Sequence, residues 1–192
     1  MQLPEPENDI PDLGEMHPAL RKLMRLAHLM RALSAGYAAW VLWQILSWWT
    51  DTDKVLTQFG KYVNRDLGAA SQWQLMVSLA LDMAAWLLLL TAVVQCWKFL
   101  QGVSQAPALL GLAASHLTLC AWYAIGCQAI TSATRPLQSY LLTHHLPSDE
   151  QVWKWAFGSN DLLATLLCVA LLMFAYVFAW TVEVAEENRR FV

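Results

Sequence analysis

Two side chains in this sequence are of a kind that does chemistry inside an apolar medium, Asp82 and His116. Asp82 is the only charge between Gln74 and Trp97, and His116 stands in a stretch from Ala106 to Thr134 that carries none. At 1.5 Å per helical residue, Asp82 falls about 12 Å and His116 about 15 Å below opposite surfaces of a bilayer. The two are therefore expected to meet near mid-membrane. A carboxylate there costs on the order of 3 kcal/mol, so Asp82 is expected to face the bundle or a cavity. Such a pair relays protons, holds a cation or polar ligand, or locks two helices together, and the lock is the preferred reading.

Other candidate groups carry less. His144, His145, Asp149 and Glu150 are of metal-ligand type, but no second set with ligand spacing accompanies them, so no metal is expected. Cys96, Cys120, Cys127 and Cys168 contain no Cys-X-X-Cys and read as inert thiols within or at the ends of spans. A bis-histidine haem needs two intramembrane histidines, and only His116 qualifies. His-Glu-X-X-His, Gly-X-Ser-X-Gly and phosphate-loop patterns are missing from the sequence, so neither an enzyme nor a cofactor is expected.

The elements that must position these residues follow from composition. The 192 residues are 57% hydrophobic and 14% charged, against about 25% charged in soluble domains. A net charge of −3 gives no nucleic-acid signal, and eleven tryptophans suit a water–lipid boundary. Four charge-poor stretches, about 33–50, 74–97, 106–131 and 161–182, each supply roughly the 20 apolar residues of a bilayer crossing. They are apolar all round, unlike the helices of a soluble bundle. The fold class is all-α, an integral membrane four-helix bundle with short amphipathic surface helices.

Residues 1–16 carry five acidic residues and three prolines and read as a loose acidic arm ahead of a single membrane domain, 17–192. After Pro18, Leu23, Leu26, Met30 and Leu33 recur at helical spacing opposite Arg21, Arg25 and His28. This predicts an interfacial helix that turns into the first span, the alternative being a first span that starts early. The outer connections are 51–73 and about 132–160. In the former, Val55, Leu56, Phe59, Tyr62 and Val63 follow the capping residues Thr52 and Asp53 and predict a short surface helix. In the latter, Trp153, Trp155 and Phe157 suit an interface belt. Arg21, Lys22, Arg25, Arg31, Lys98, Arg189 and Arg190 outnumber Lys54, Lys61, Arg65, Arg135 and Lys154, which puts both termini in the cytoplasm.

Ser159, Asn160 and Asp161 precede the last span, where short polar side chains cap free backbone N–H groups. This triplet, the apolar run after it, and the closing Glu186, Glu187, Asn188 and Val192 resemble the bacterial DUF2975 family of small four-span membrane proteins. The resemblance covers residues 157–192 and implies topology without a reaction. The inner segment GVSQAPALLGLAA keeps Gly102 and Ser104 of the family pattern but lacks its Asn and Arg. The tail TVEVAEENRRFV is expected to continue the fourth helix, with Glu186 and Arg190 spaced as an i,i+4 pair. Glu186, Glu187, Asn188 and Arg190 are its contact candidates, toward residues 21–31 or a partner protein, the alternative being a solvated end. Small residues at Ser34, Ala35, Gly36, Ala38 and Ala39, and at Gly111 and Ser115, would let helices approach within the chain or between copies.

These features lead to a non-enzymatic protein of the bacterial inner membrane, acting as an accessory or regulatory subunit through protein contacts or as a homo-oligomer. A small oligomeric transporter or channel using Asp82 and His116, and a metal- or cofactor-binding redox protein, are the alternatives. Reporter fusions after residues 101 and 192 should read cytoplasmic, and fusions near 58 and 148 external. A reversed pattern would overturn the orientation.

Overall fold

A computed structural model describes residues 18–105, 110–155 and 157–190, so the acidic arm lies outside the described residues. Five helices account for most of it: α1 (Pro18–Trp49), α2 (Thr52–Val63), α3 (Gln72–Gln105), α4 (Leu110–Thr143) and α5 (Ser159–Arg190). There is no strand among the described residues. Three helical stretches, Gln72–Val103, Leu110–Thr143 and Ser159–Asn188, are long and apolar enough to cross a membrane. α1 is as long as α5. Its hydropathy is diluted by Tyr37, Gln44 and Ser47, by Trp40, Trp43, Trp48 and Trp49, and by the charges of its first half.

Two expectations are corrected here. The amphipathic segment after Pro18 is not a separate surface helix, because α1 runs unbroken from Pro18 to Trp49. No proline follows Pro18 within it, and its single glycine, Gly36, sits among alanines that hold the helix. Nor does the third span give way to loop at 131. α4 continues through Arg135 and Pro136 to Thr143. Pro136 removes one backbone donor, the helical partner of the Ser132 carbonyl, yet the helix runs through it and Pro136 is fully buried.

The surface helix α2 is capped one residue before the anticipated positions. Asp51 accepts from the Lys54 N–H at 3.0 Å and is the N-cap, in place of Thr52 or Asp53. Asn64 closes the helix in the left-handed conformation, φ 57°, and the Arg65 N–H returns to the Gly60 carbonyl at 3.0 Å. The apolar face of α2 covers a small water-protein type of core, Val63, Leu67 and Leu142, joined by Leu56, Phe59, Tyr62, Leu75 and Val152. It closes over the ends of α3 and α4 as a cap.

The long helices form a row and not a closed bundle. α3 and α4 are the central antiparallel pair, α1 packs on the outside of α3, and α5 packs on α4. Among the described residues α1 and α5 share no substantial contact. The central pair comes close where Gly102 passes Ala113, since a Cβ on Gly102 would stand 2.8 Å from the Ala113 Cβ. Gly102→Ala should therefore destabilise the protein by about 1–3 kcal/mol, the usual cost of overpacking. Ala113→Gly in the same chain should return most of that loss. Reversible unfolding in mixed detergent measures both, and additive losses would mean that the two positions do not touch.

Candidate functional site

Asp82 is a junction of three helices. The Trp49 indole N–H at the end of α1 donates to its Oδ2 at 2.8 Å. Gln138 Nε2 on α4 donates to its Oδ1 at 3.1 Å and to the Ser78 carbonyl at 3.1 Å. Gln138 and Ser78 are buried, and the Ser78 hydroxyl is left without a partner. One turn further out, Gln74 Nε2 donates to the Leu141 carbonyl at 2.8 Å. In an apolar medium each of these donors would otherwise go unmet at a cost of several kcal/mol, so both oxygens of Asp82 are committed to tying helices.

His116 lies elsewhere. Its Nδ1 is 2.8 Å from Gln95 Oε1 on α3, and an amide oxygen only accepts, so the ring nitrogen is the donor. Gln95 and Asp82 are thirteen residues apart on one helix, about 20 Å. The expected Asp82–His116 pair is therefore not formed. The difference is one of register: α4 runs on past its charge-free stretch toward α2, as far as Thr143, while α3 runs on past its own at the other end, to Gln105. Each ionisable group instead found a glutamine on the facing helix.

The triplet at the start of α5 divides its work unevenly. Asp161 Oδ2 accepts from the Gly158 N–H at 2.9 Å, while Asp161 and Leu162 donate their N–H groups to the Gly158 carbonyl. The Asp161 carbonyl accepts from Gln128 Nε2 of α4 at 3.3 Å, which fixes α5 against α4. Ser159 and Asn160 are exposed, and no side-chain cap bond is seen for either. In the tail, Glu186 lies against α4, its carboxylate 3.4 Å from where a Gly111 Cβ would stand. Glu187 and Asn188 are exposed. Helix α5 reaches Arg190, whose side chain is outside the described set. Among the described residues no ion pair joins the tail to α1; the one ion pair seen is Arg65–Glu150 at 3.9 Å, solvent-exposed and of little energetic weight.

His144 is exposed beside the Tyr140 ring, and both ring nitrogens of His145 are buried without a partner. No cluster of three metal-ligating side chains occurs among the described residues. The four cysteines are free, and the Cys127 thiol donates to the Ala85 carbonyl at 3.4 Å.

Sequence reasoning missed Trp49, Gln138 and Gln95. The available signal was the donor inventory: an indole or an amide in an apolar helix must find an acceptor, and few acceptors exist there. Two more indoles follow the same rule, Trp86 donating to the Ala38 carbonyl at 3.0 Å and Trp97 to Ser34 Oγ at 2.8 Å. Comparison with protein-family models, curated proteins and solved structures finds no match.

Asp82→Leu should destabilise the protein by about 2–4 kcal/mol, because it strands two donors. Trp49→Phe should cost about 0.6–2 kcal/mol, the range for one interhelical bond in a membrane. In the double variant the two losses should be less than additive when unfolding is followed in mixed detergent. Full additivity would mean that the indole and the carboxylate do not interact.

Proposed function

We propose that this protein is a non-enzymatic, integral protein of the bacterial inner membrane, with α1 as a fourth span and both termini cytoplasmic. On this reading it acts through protein contacts, as an accessory or regulatory subunit. Its closing motif relates it to the DUF2975 family of four-span proteins. The observation that carries the reading is how the polar groups within the long helices are used. Asp82, Gln138, Gln95, His116, Gln128 and the Trp97 indole are all engaged in bonds between helices. A transport path needs such groups facing water along one route, and here they are consumed in packing.

The surfaces left for contact are the outer faces of the edge helices. On α1, Tyr37, Trp40 and Trp43 are half or more exposed, and a Cβ on Gly36 would meet nothing within 4 Å. On α5, Met173, Phe174 and Trp180 are exposed to a similar degree. These faces suit lipid, a partner helix or a second copy. A photo-crosslinking amino acid in place of Trp43 or Phe174, activated in intact membranes, should give discrete protein adducts. Adducts with lipid alone at both positions would overturn the contact reading.

A further inference from the structure

The chain between α4 and α5 does not cross the top of the molecule but descends along α4. The Val152 N–H donates to Thr143 Oγ1 at 3.1 Å, and the Lys154 N–H to Ser139 Oγ at 3.1 Å. By Asp161 the chain has reached Gln128. From Thr143 to Gln128 is fifteen residues of α4, about 22 Å along its axis. Helix α5 therefore starts well below the end of its neighbour.

This descending strap carries side chains at the two-residue period of an extended chain. Trp153, Trp155 and Phe157 are 48%, 57% and 61% exposed. With Tyr140 they form a ladder, its ring centroids 5.5, 6.2 and 6.0 Å apart, the last two rings parallel within 5°. Lys154, which interrupts them in sequence, is turned back onto the cap: its Nζ donates to the Tyr62 carbonyl at 2.6 Å and lies 4.4 Å over the Tyr62 ring. The ladder then leads directly into the exposed Leu162, Leu163 and Leu166 of α5.

We propose that the Tyr140–Trp153–Trp155–Phe157 ladder docks on the headgroup–acyl boundary of the leaflet nearest α2, so that this boundary lies near the start of α5 and the ends of α3 and α4 stand above it. The proposal rests on the membrane reading given above and assigns its lipid surface. Indole and phenol rings favour that boundary, with an apolar body and a polar edge. The distance to the next exposed belt residues agrees. On α5 the exposed Tyr176 and Trp180 lie seventeen and twenty-one residues after Ser159, about 26 and 32 Å, which brackets one hydrocarbon core. Burial agrees independently. Gln74, Ser78, Thr134, Gln138, Ser139 and Thr143, the buried polar side chains among the described residues, all lie on the cap side of Gln128. So does the Val63–Leu67–Leu142 core. Asp82 is bonded to Gln138, ten residues beyond Gln128 toward the cap, and therefore belongs to the boundary and not to the bilayer centre.

The test uses the full chain in phosphatidylcholine vesicles. The fluorescence difference between the parent and Trp153→Phe/Trp155→Phe should lose most of its intensity to lipids brominated near the headgroup. It should lose little to chain-end bromines or aqueous iodide. In parallel, a membrane-impermeant maleimide should label Met76→Cys, at a 61% exposed site of α3, and leave Val94→Cys, at a 37% exposed site, unlabelled. Quenching chiefly by iodide would mean that the ladder faces water or protein. Quenching by chain-end bromines with Met76→Cys protected would put the boundary above the cap. Either result overturns the proposal. Failure of the parent protein to float with the vesicles would instead overturn the membrane reading beneath it.

Discussion

The architecture depends on one constraint, that a hydrogen-bond donor on a long apolar helix must find an acceptor on its neighbours. Three indoles obey it in the same way, and together they define how α1 sits on α3. Trp49 reaches from α1 to Asp82, while Trp86 and Trp97 reach from α3 to the Ala38 carbonyl and Ser34 Oγ. The three ties are spread along the helix pair, so they fix both its register and its rotation. α1 buries few apolar side chains of its own, chiefly Ala27, Ala38 and Trp49. Apolar burial gives no drive for association within lipid. Each indole bond is modest in net terms, but breaking it leaves an unmet donor at several kcal/mol. The ties therefore act mainly by making other placements of α1 unfavourable.

The central pair is held by different means at its two ends. Toward the termini the backbones approach closely, Gly102 against Ala113, and dispersion at short range does the work. Toward α2 the same two helices are joined by amides and hydroxyls, through Gln74, Gln138 and Asp82, beneath an apolar cap. The first arrangement suits lipid, where small residues let helices meet. The second suits water, where a hydrophobic core can drive folding and buried amides can be satisfied.

What the sequence disclosed and what it hid follow from this change of environment along each helix. The apolar runs of α3, α4 and α5 were legible because charge is expelled from the hydrocarbon core. The repeat of Val55, Phe59 and Val63 gave α2 for the same reason that any amphipathic helix is legible. The extension of α4 through Arg135 and Pro136 was not legible. Charge and proline at that point read as a loop, whereas Gln138 is matched by the Ser78 carbonyl and Asp82 across the pair, and Thr134 and Ser139 bond carbonyls of their own helix. The site suffered accordingly. Asp82 and His116 were recognisable as groups needing a partner, but with both helices longer than their apolar cores, a count from the edge of a charge-free stretch measured the wrong origin.

This shift in origin changes what an intramembrane carboxylate means here. A charge at the bilayer centre is costly enough to demand an explanation by function. Asp82 accepts two hydrogen bonds from neutral donors, at a level tied to Gln138, and the cap stands over it. A carboxylate so placed costs less, and its bonds to α1 and α4 give reason enough for it to be there. His116 sits six residues from the opposite end of α4, against Gln95, and the same argument applies to it. With Asp82 and His116 drawn toward the two ends, the middle of the row is left to apolar packing. The outer faces of α1 and α5 then remain as the exposed apolar surfaces of the row.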